Sequence, residues 1–459
     1  MGSKFRYIPA MLASALAGGA AAYTYAQMET TSELGKLERA MQLIEQRYVE
    51  PVDRTKLIDG AIEGMLHALE DPYTTYMDQE EAAAFNQNIS ASFEGIGATM
   101  EEIDGRIVIV APIKGSPAEA AGLKPGDQVI KVGDQSLEGM EVHEAVMLIR
   151  GKKGTTAELT IVRDGKQVQV SIVRDTIPLE TVYSELREDG VGVIRIASFA
   201  ETTAAEYEEA VRKLLNEGMK GLVIDLRQNP GGLTDAAESI AETLVPDGKP
   251  IVQFKSRGRE PQITVSQYND IGLGAMPIAA IVDGGSASAA EIVAGALQQS
   301  ANVPLVGTTT FGKGTAQLNQ PFQDGSSMKY TVAEWLTPNG GTIHKTGLTP
   351  DVVVELPAYA NLPLVSDDVT MKENEFSDNI KTIQLMLKAI GFDPGREDGF
   401  FDAGTTRAVR RFQAAKGIEQ TGVVQGETTR AIIGDVREAI QANDTQLEQA
   451  AKLVRERFQ

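Results

Sequence analysis

"GLVIDLRQNPGG", residues 221–232, reads as a strand that runs straight into a sharp turn. Asn229-Pro230 sets the corner, and Gly231-Gly232 leave its backbone N–H groups uncovered. The neighbouring stretches repeat the pattern. Upstream lie the strand "VGVIRIASF" and then "AEYEEAVRKLLNEG", which places Tyr207, Ala210, Val211, Leu214 and Leu215 on one helix face and closes at Gly218. Downstream come helix "TDAAESIAETL", strand "PIAAIVDG", helix "SAAEIVAGALQQ" and strand "VPLVGT". Strands alternating with helices predict an α/β sheet over residues 177–355. Its open points are the glycine-rich turns after "VIDLR" and "IAAIV", where such folds place their sites.

The second of those turns is "DGGSASAAEI", residues 283–292. Ser288 stands where strand gives way to helix, so the free N–H of Ala289 points at charge developing on a carbonyl that Ser288 attacks. The same letters also fit an ordinary capping box, with Ser288 as N-cap and Glu291 three residues on. A catalytic serine needs a base, and the chain has only 3 histidines. After "VPLVG", however, comes "TTTFGKGTAQ", which sets Lys313 between Gly312 and Gly314. A lysine acts as a base only if its pKa falls from ~10.4 toward 7, which burial beside apolar walls achieves. A Ser–Lys pair would then need no histidine. Two rivals are a surface lysine in a hairpin turn and a phosphate loop. Gly307 to Gly314 follows a strand with near-phosphate-loop spacing, but Gly314 stands where a Ser or Thr would hold magnesium. For the turn at 229–232, a second oxyanion donor competes with a plain strand-to-helix connection.

With 459 residues the chain holds several domains, and its 42 % hydrophobic and 23 % charged content is that of a globular protein. A net charge of −21 argues against a nucleic-acid groove. The absence of cysteine excludes disulfides, zinc–thiolate sites and thiol catalysis, and fits work outside the cytosol. Residues 1–28 carry Lys4 and Arg6 ahead of the uncharged run "YIPAMLASALAGGAAAYTYAQM". That run is long enough for an uncleaved membrane anchor, while Ala20-Ala21-Ala22 also suits a cleaved export signal.

Residues 31–88 read as a helical association arm, and 92–176 as a compact mostly-β module interrupted by two short helices. Residues 356–376 read as an acidic linker, 377–435 as a small helical domain and 436–459 as a polar helical tail. Within the small domain "GFFDAGTTRA" (399–408) recurs as "GVVQGETTRA" (422–431), so a two-fold helical module is expected.

Taken together, "YVEPVD", "GAIEGMLHALEDPYTTYM", "FEGIGA", "SPAEAAGLKPGDQVIKVGD", "LIRGKKGT", "VIDLRQNPGG", "GSASAAEIVAGAL", "GTTTFGKGTAQ" and "EWLTPNG" resemble the carboxyl-terminal processing peptidases, the tail-specific S41 serine proteases. The resemblance runs from about residue 36 to 355. It implies a multidomain α/β protein: a helical N-terminal arm, a PDZ domain, an α/β protease core and a C-terminal helical domain. It also implies Ser288 as nucleophile, Lys313 as base and Gln317, four residues on, as the residue orienting the amine. Ser286 matches a structural position; Ala290 departs from the serine the family often has there. The amides of Ala289, Gly231 and Gly232 are expected to receive the oxyanion. Gly95, Ile96 and Gly97 of "FEGIG" are expected to hold a substrate's C-terminal carboxylate while its strand adds to the sheet edge. Arg150 has two readings: partner of its helix dipole, or contact to substrate or core.

The repeat resembles the peptidoglycan-binding module of cell-wall enzymes, with Ile380, Ile383, Leu387, Ala408, Val409 and Phe412 as its core. The implied protein is an exported, envelope-attached endopeptidase. Its partners would be unstructured C-terminal tails, peptidoglycan and a second copy of itself, with no metal, cofactor or nucleic acid. The competing reading is a non-catalytic wall-bound PDZ scaffold.

Overall fold

The computed structural model describes residues 33–103 and 105–458, and the expected export segment at 1–28 lies outside them. The described chain forms two compact units: residues up to 84 with 317–331, and 85–316 with 332–459.

In the first unit, helices Glu33–Arg47 and Arg54–His67 bury no residue. Leu34, Val49, Met65 and Leu69 are all exposed. The helical reading of this arm needs one correction, because Thr75–Met77 is a strand paired antiparallel with Ser327–Lys329. Asp71-Pro72 ends the helical run ahead of it, and Tyr76 donates through its hydroxyl to Asp59 Oδ1 at 2.8 Å.

The second unit contains the predicted α/β sheet. Its strands lie in chain order: Val182–Leu186, Val191–Ile196, Gly221–Asp225, Ile278–Val282, Leu305–Gly307 and Val352–Val353. The first pair is antiparallel and the others parallel. Alternate side chains divide between two cores, as the period of a strand requires. Ile194, Leu222, Ile224, Ala280 and Val282 pack under helices Thr203–Asn216, Thr234–Glu242 and Ala289–Ser300. On the opposite face Val193, Val223, Ala279, Ile281 and Val306 pack against Ala450, Ala451 and Val454 of the C-terminal helix Thr445–Arg455.

That second core corrects the tail expected at 436–459. Residue 436 falls inside helix Glu427–Ala442, and the following helix is part of the sheet's packing. Its stripe is Leu447, Ala450, Ala451 and Val454, and small side chains let it lie close to the strands. Gly221 sits directly beneath Val454, where a Cβ would collide. The acidic linker is also corrected. Val365 and Met371 are buried in the core of the C-terminal module, and Met371 pairs with Val424.

The mostly-β module has strands Ala98–Ile103, Arg106–Pro112, Gln128–Val132, Thr156–Arg163 and Lys166–Val173 in spatial order. Helices Pro117–Ala120 and Val142–Ile149 are the two short helices its sequence predicts. Ile107, Ile109, Leu159, Ile161 and Ile172 fill its core.

Candidate active site

Strands Gly221–Asp225 and Ile278–Val282 are adjacent and parallel, so the two glycine-rich turns at their ends meet. Several bonds join them. Ala287 N donates to Asn229 O at 2.9 Å, Gln228 N to Asp283 Oδ1 at 2.9 Å, and Gln228 Nε2 to Asp283 Oδ2 at 2.8 Å. Ser286 is fully buried and donates to Leu226 O at 2.8 Å while accepting from Asp283 N. One bond closes its own turn and the other ties that turn to the end of the neighbouring strand. Ser288, by contrast, is half-buried and holds φ 55° and ψ −117°, a conformation a side-chain-bearing residue adopts at a cost.

Gly231 lies against Ser288. A Cβ on Gly231 would stand 2.7 Å from Ser288 Cβ and 3.0 Å from Ala289 N, and its φ is +99°. Gly232 is pressed onto Phe199 O with φ +143°. One expected oxyanion donor is corrected here: Gly231 N already donates to Asn229 Oδ1 at 2.8 Å. Asn229 is itself fully buried and donates to Ile196 O, so the asparagine takes the inner N–H of the turn. Gly231 therefore acts by its lack of a side chain, while Gly232 stays exposed on the turn.

The capping box is present as well. Glu291 Oε2 accepts from Ser288 N at 2.8 Å. Sequence reasoning missed how much more this carboxylate does. The same oxygen accepts from Lys313 N at 2.9 Å, while Oε1 accepts from Thr310 Oγ1 at 2.6 Å and from Gly312 N at 2.8 Å. Glu291 is fully buried, and these charge-assisted bonds satisfy it. One carboxylate thus ties the backbone of Ser288 to the backbone of Lys313. The available signal was the acid three residues after the serine, which local rules explained completely.

The glycines flanking Lys313 allow close backbone approach by residues 343–347. A Cβ on Gly312 would stand 2.8 Å from Gly347 N, and one on Gly314 would stand 2.9 Å from His344 N. The buried Trp335 holds the loop from its other side: Trp335 Nε1 donates to Lys313 O at 2.8 Å and Trp335 N to Gly314 O at 3.0 Å. Gln317 opens the segment grouped with the N-terminal unit, and its Nε2 donates to Thr331 Oγ1 at 3.1 Å.

In the mostly-β module, Gly95 ends the strand Ser92–Gly95 and Ile96-Gly97 connect it to the next. Ile113 N and Ser116 Oγ donate to Gly97 O, and Ala118 N donates to Ile96 O, so these carbonyls face the module's interior. Arg150 is the C-cap of its helix, yet its guanidinium lies 4.9 Å from the centre of the Phe93 ring. It is therefore packed beside the "FEGIG" loop as well as at a helix end.

The internal repeat has a physical basis in two buried glutamines. Gln384 accepts from Gly399 N and donates to Phe400 O and Thr405 Oγ1. Gln413 accepts from Gly422 N and donates to Val423 O and Thr428 Oγ1. All six predicted core residues are at most 1 % exposed.

Comparison with known proteins agrees with this division. Peptidase family S41 matches residues 190–354, the PDZ domain 95–173, the peptidoglycan binding domain 376–432 and the activating protease CtpB N-terminal domain 12–81. Carboxy-terminal processing protease CtpA of Bacillus subtilis (strain 168) is 46 % identical over 425 residues, 92 % of this chain and 91 % of that protein. CtpB of the same organism is 42 % identical over 434 residues, 93 % of this chain and 90 % of that protein. Among solved structures, a photosystem II D1 C-terminal processing protease aligns with 28 % identity and a TM-score of 0.43, over 72 % of this chain and 89 % of its own.

Proposed function

The chain belongs to peptidase family S41 and is a carboxy-terminal processing protease with a PDZ domain, and on that premise we propose that it works by a Ser288–Lys313 mechanism on proteins captured by their C-terminal tails. The observation that carries this reading is the Glu291 carboxylate, which accepts from Ser288 N and Lys313 N through one oxygen.

Ser288 Oγ attacks the peptide carbonyl carbon as Lys313 Nζ takes the hydroxyl proton. The carbonyl oxygen becomes an oxyanion facing the amides of Ala289 and Gly232. Collapse breaks the C–N bond, and the Lys313 ammonium returns the proton to the leaving amine. Water, deprotonated by the same lysine, then attacks the acyl carbon. The C–O bond to Ser288 breaks, the Lys313 ammonium returns its proton to Ser288 Oγ, and the acyl group leaves as the new carboxyl terminus. Gln317 orients the lysine amine in this scheme.

Gly95, Ile96 and Gly97 receive the terminal carboxylate of the tail, with Arg150 held beside that loop by Phe93. The protease is exported and held at the cell envelope, by residues 1–28 on the membrane and by the C-terminal module on peptidoglycan. The exposed apolar residues of Glu33–Arg47 and Arg54–His67 supply the surface for a homodimer. A fluorophosphonate probe tests the core of the reading. It should label Ser288 in the parent and nothing in Ser288→Ala. It should also cease to label Lys313→Ala, and undiminished labelling there would remove lysine from the scheme.

A further inference from the structure

Arg227 immediately precedes the turn that carries Gln228 to Gly232. Its guanidinium is clasped from two sides. Nε and Nη2 donate to the two carboxylate oxygens of Asp225 at 2.9 and 2.6 Å. Nη1 and Nη2 donate to the two oxygens of Asp444 at 2.9 and 2.7 Å. Asp444 is the N-cap of the C-terminal helix, where its Oδ1 also accepts from Leu447 N. Gln446, 1 % exposed, adds a bond from Arg227 Nη1 and anchors itself to Val354 O. Burial opposes charge on this guanidinium, but the hydrogen bonds and charges of Asp225 and Asp444 outweigh it and keep the group protonated.

The rest of the helix is held differently. Ala450, Ala451 and Val454 pack on the strands. The ion pairs of Glu448 with Arg187 and of Arg455 with Asp189 reach the antiparallel edge of the sheet. Asp444 and Gln446 alone, among its described residues, bond to the residue leading into the 228–232 turn. That turn is backbone-strained at Gln228, with φ 55°, and presses Gly231 onto Ser288. A strained turn keeps its shape only while its surroundings over-determine it.

We infer that Asp444 is a positioning residue for catalysis: by clasping Arg227 it fixes the turn that places Gly231 against Ser288. The inference rests on the reading of that turn as part of the oxyanion site. It gives the segment that follows the C-terminal module a positioning role in the protease core. That module leaves and rejoins the core at one place, where Thr445 Oγ1 donates to Glu355 O and Gln446 Nε2 to Val354 O.

The test compares full-length Asp444→Asn, Asp444→Glu and Glu448→Ala with the parent. The readouts are kcat and KM on an unfolded tail-bearing protein, Tm, and inhibition by a peptide aldehyde whose adduct places an oxyanion in the site. Asp444→Asn should lower kcat by roughly tenfold to a hundredfold, with KM nearly unchanged and aldehyde binding weakened in parallel. Asp444→Glu should recover most of the loss. Glu448→Ala, on the same helix, should keep kcat. If Asp444→Asn does not fold, Arg227→Lys carries the same comparison, since an ammonium cannot bridge both carboxylates as a fork does. Parental kcat and aldehyde affinity in a folded Asp444→Asn would overturn the inference, as would an equal loss in Glu448→Ala. Gly231→Ala separates the two levels. If it is inactive while Asp444→Asn is parental, only the clasp is wrong; if it is fully active, the oxyanion reading itself fails.

Discussion

Gly231 and Ser288 are packed so closely that a single methyl group on the glycine would stand 2.7 Å from the serine Cβ. The glycine also holds φ +99°, a backbone conformation that alanine adopts only under strain. Gly231→Ala should therefore lose activity by about a hundredfold or more, since displacements near 1 Å at a reacting centre have that effect. Circular dichroism should remain that of the parent, and turnover of an unfolded substrate is the measurement. Activity within a few-fold of the parent would show that the two turns do not need this contact.

Glu291→Gln probes the carboxylate between the two loops. Each of its oxygens serves two donors, so an amide nitrogen in either place meets an N–H instead of accepting from it. Each charge-assisted bond lost costs roughly 1.5–3 kcal/mol. A lower Tm together with a large fall in kcat is expected. A fall in Tm alone would reduce Glu291 to a helix cap.

Ser288→Ala should abolish proteolysis without unfolding the chain. Ser286→Ala should keep measurable turnover but lose about 1–3 kcal/mol of stability, because Leu226 O and Asp283 N lose a buried partner. Denaturant melts and single-turnover assays on both variants distinguish the two roles. Complete inactivity of a folded Ser286→Ala would move the nucleophile assignment.

Lys313→Arg is the decisive substitution for the base. Guanidinium keeps the charge but gives up no proton at a workable pH. The variant should be as inactive as Lys313→Ala, and the parent's activity should rise with pH along one ionisation that survives substitution of His67, His143 or His344. Loss of that profile in His344→Ala would make a histidine the base.

Glu238 offers a stability test far from the chemistry. Burial first, then Asp235 and Glu242 on the same helix, push its carboxyl up to about 6. The folded state thus holds this proton more tightly than the unfolded chain. Its contribution to stability is complete below the unfolded value of about 4.3 and is lost as pH rises through about 6. Glu238→Gln should raise Tm at pH 8, by an amount corresponding to roughly 2 kcal/mol at most, and change it little at pH 4. An equal gain at both pH values would rule out the linkage.

The sheet, its three covering helices and the meeting of its two turns were legible because strand and helix periods are strong signals and glycine marks the turns. Of the face read as Tyr207, Ala210, Val211, Leu214 and Leu215, the first four are buried and Leu215 is half-buried against the same core. The second face of the sheet was not legible. Its cover is a largely polar helix distant in sequence, and two of its contact residues, Ala450 and Ala451, carry little weight in a hydrophobic pattern. Val365 and Met371 were hidden because the short apolar stretches around them, in a segment dominated by acidic and polar residues, carry no helical or strand period. At the site, the glycines flanking Lys313 lie against the backbone of residues 343–347, a neighbour that their spacing does not name. The donor role given to Gly231 failed because nothing local shows that Asn229 turns its side chain inward to take that N–H.

The C-terminal helix also sets an order of events. Strands from Val191 to Val306 have one face covered by residues 450–454, so a chain leaving the ribosome has made its serine turn long before it holds the residues that cover the sheet. Long-range contacts of this kind close late. A chain cut short before Asp444 therefore keeps an open apolar face and a turn without its clasp.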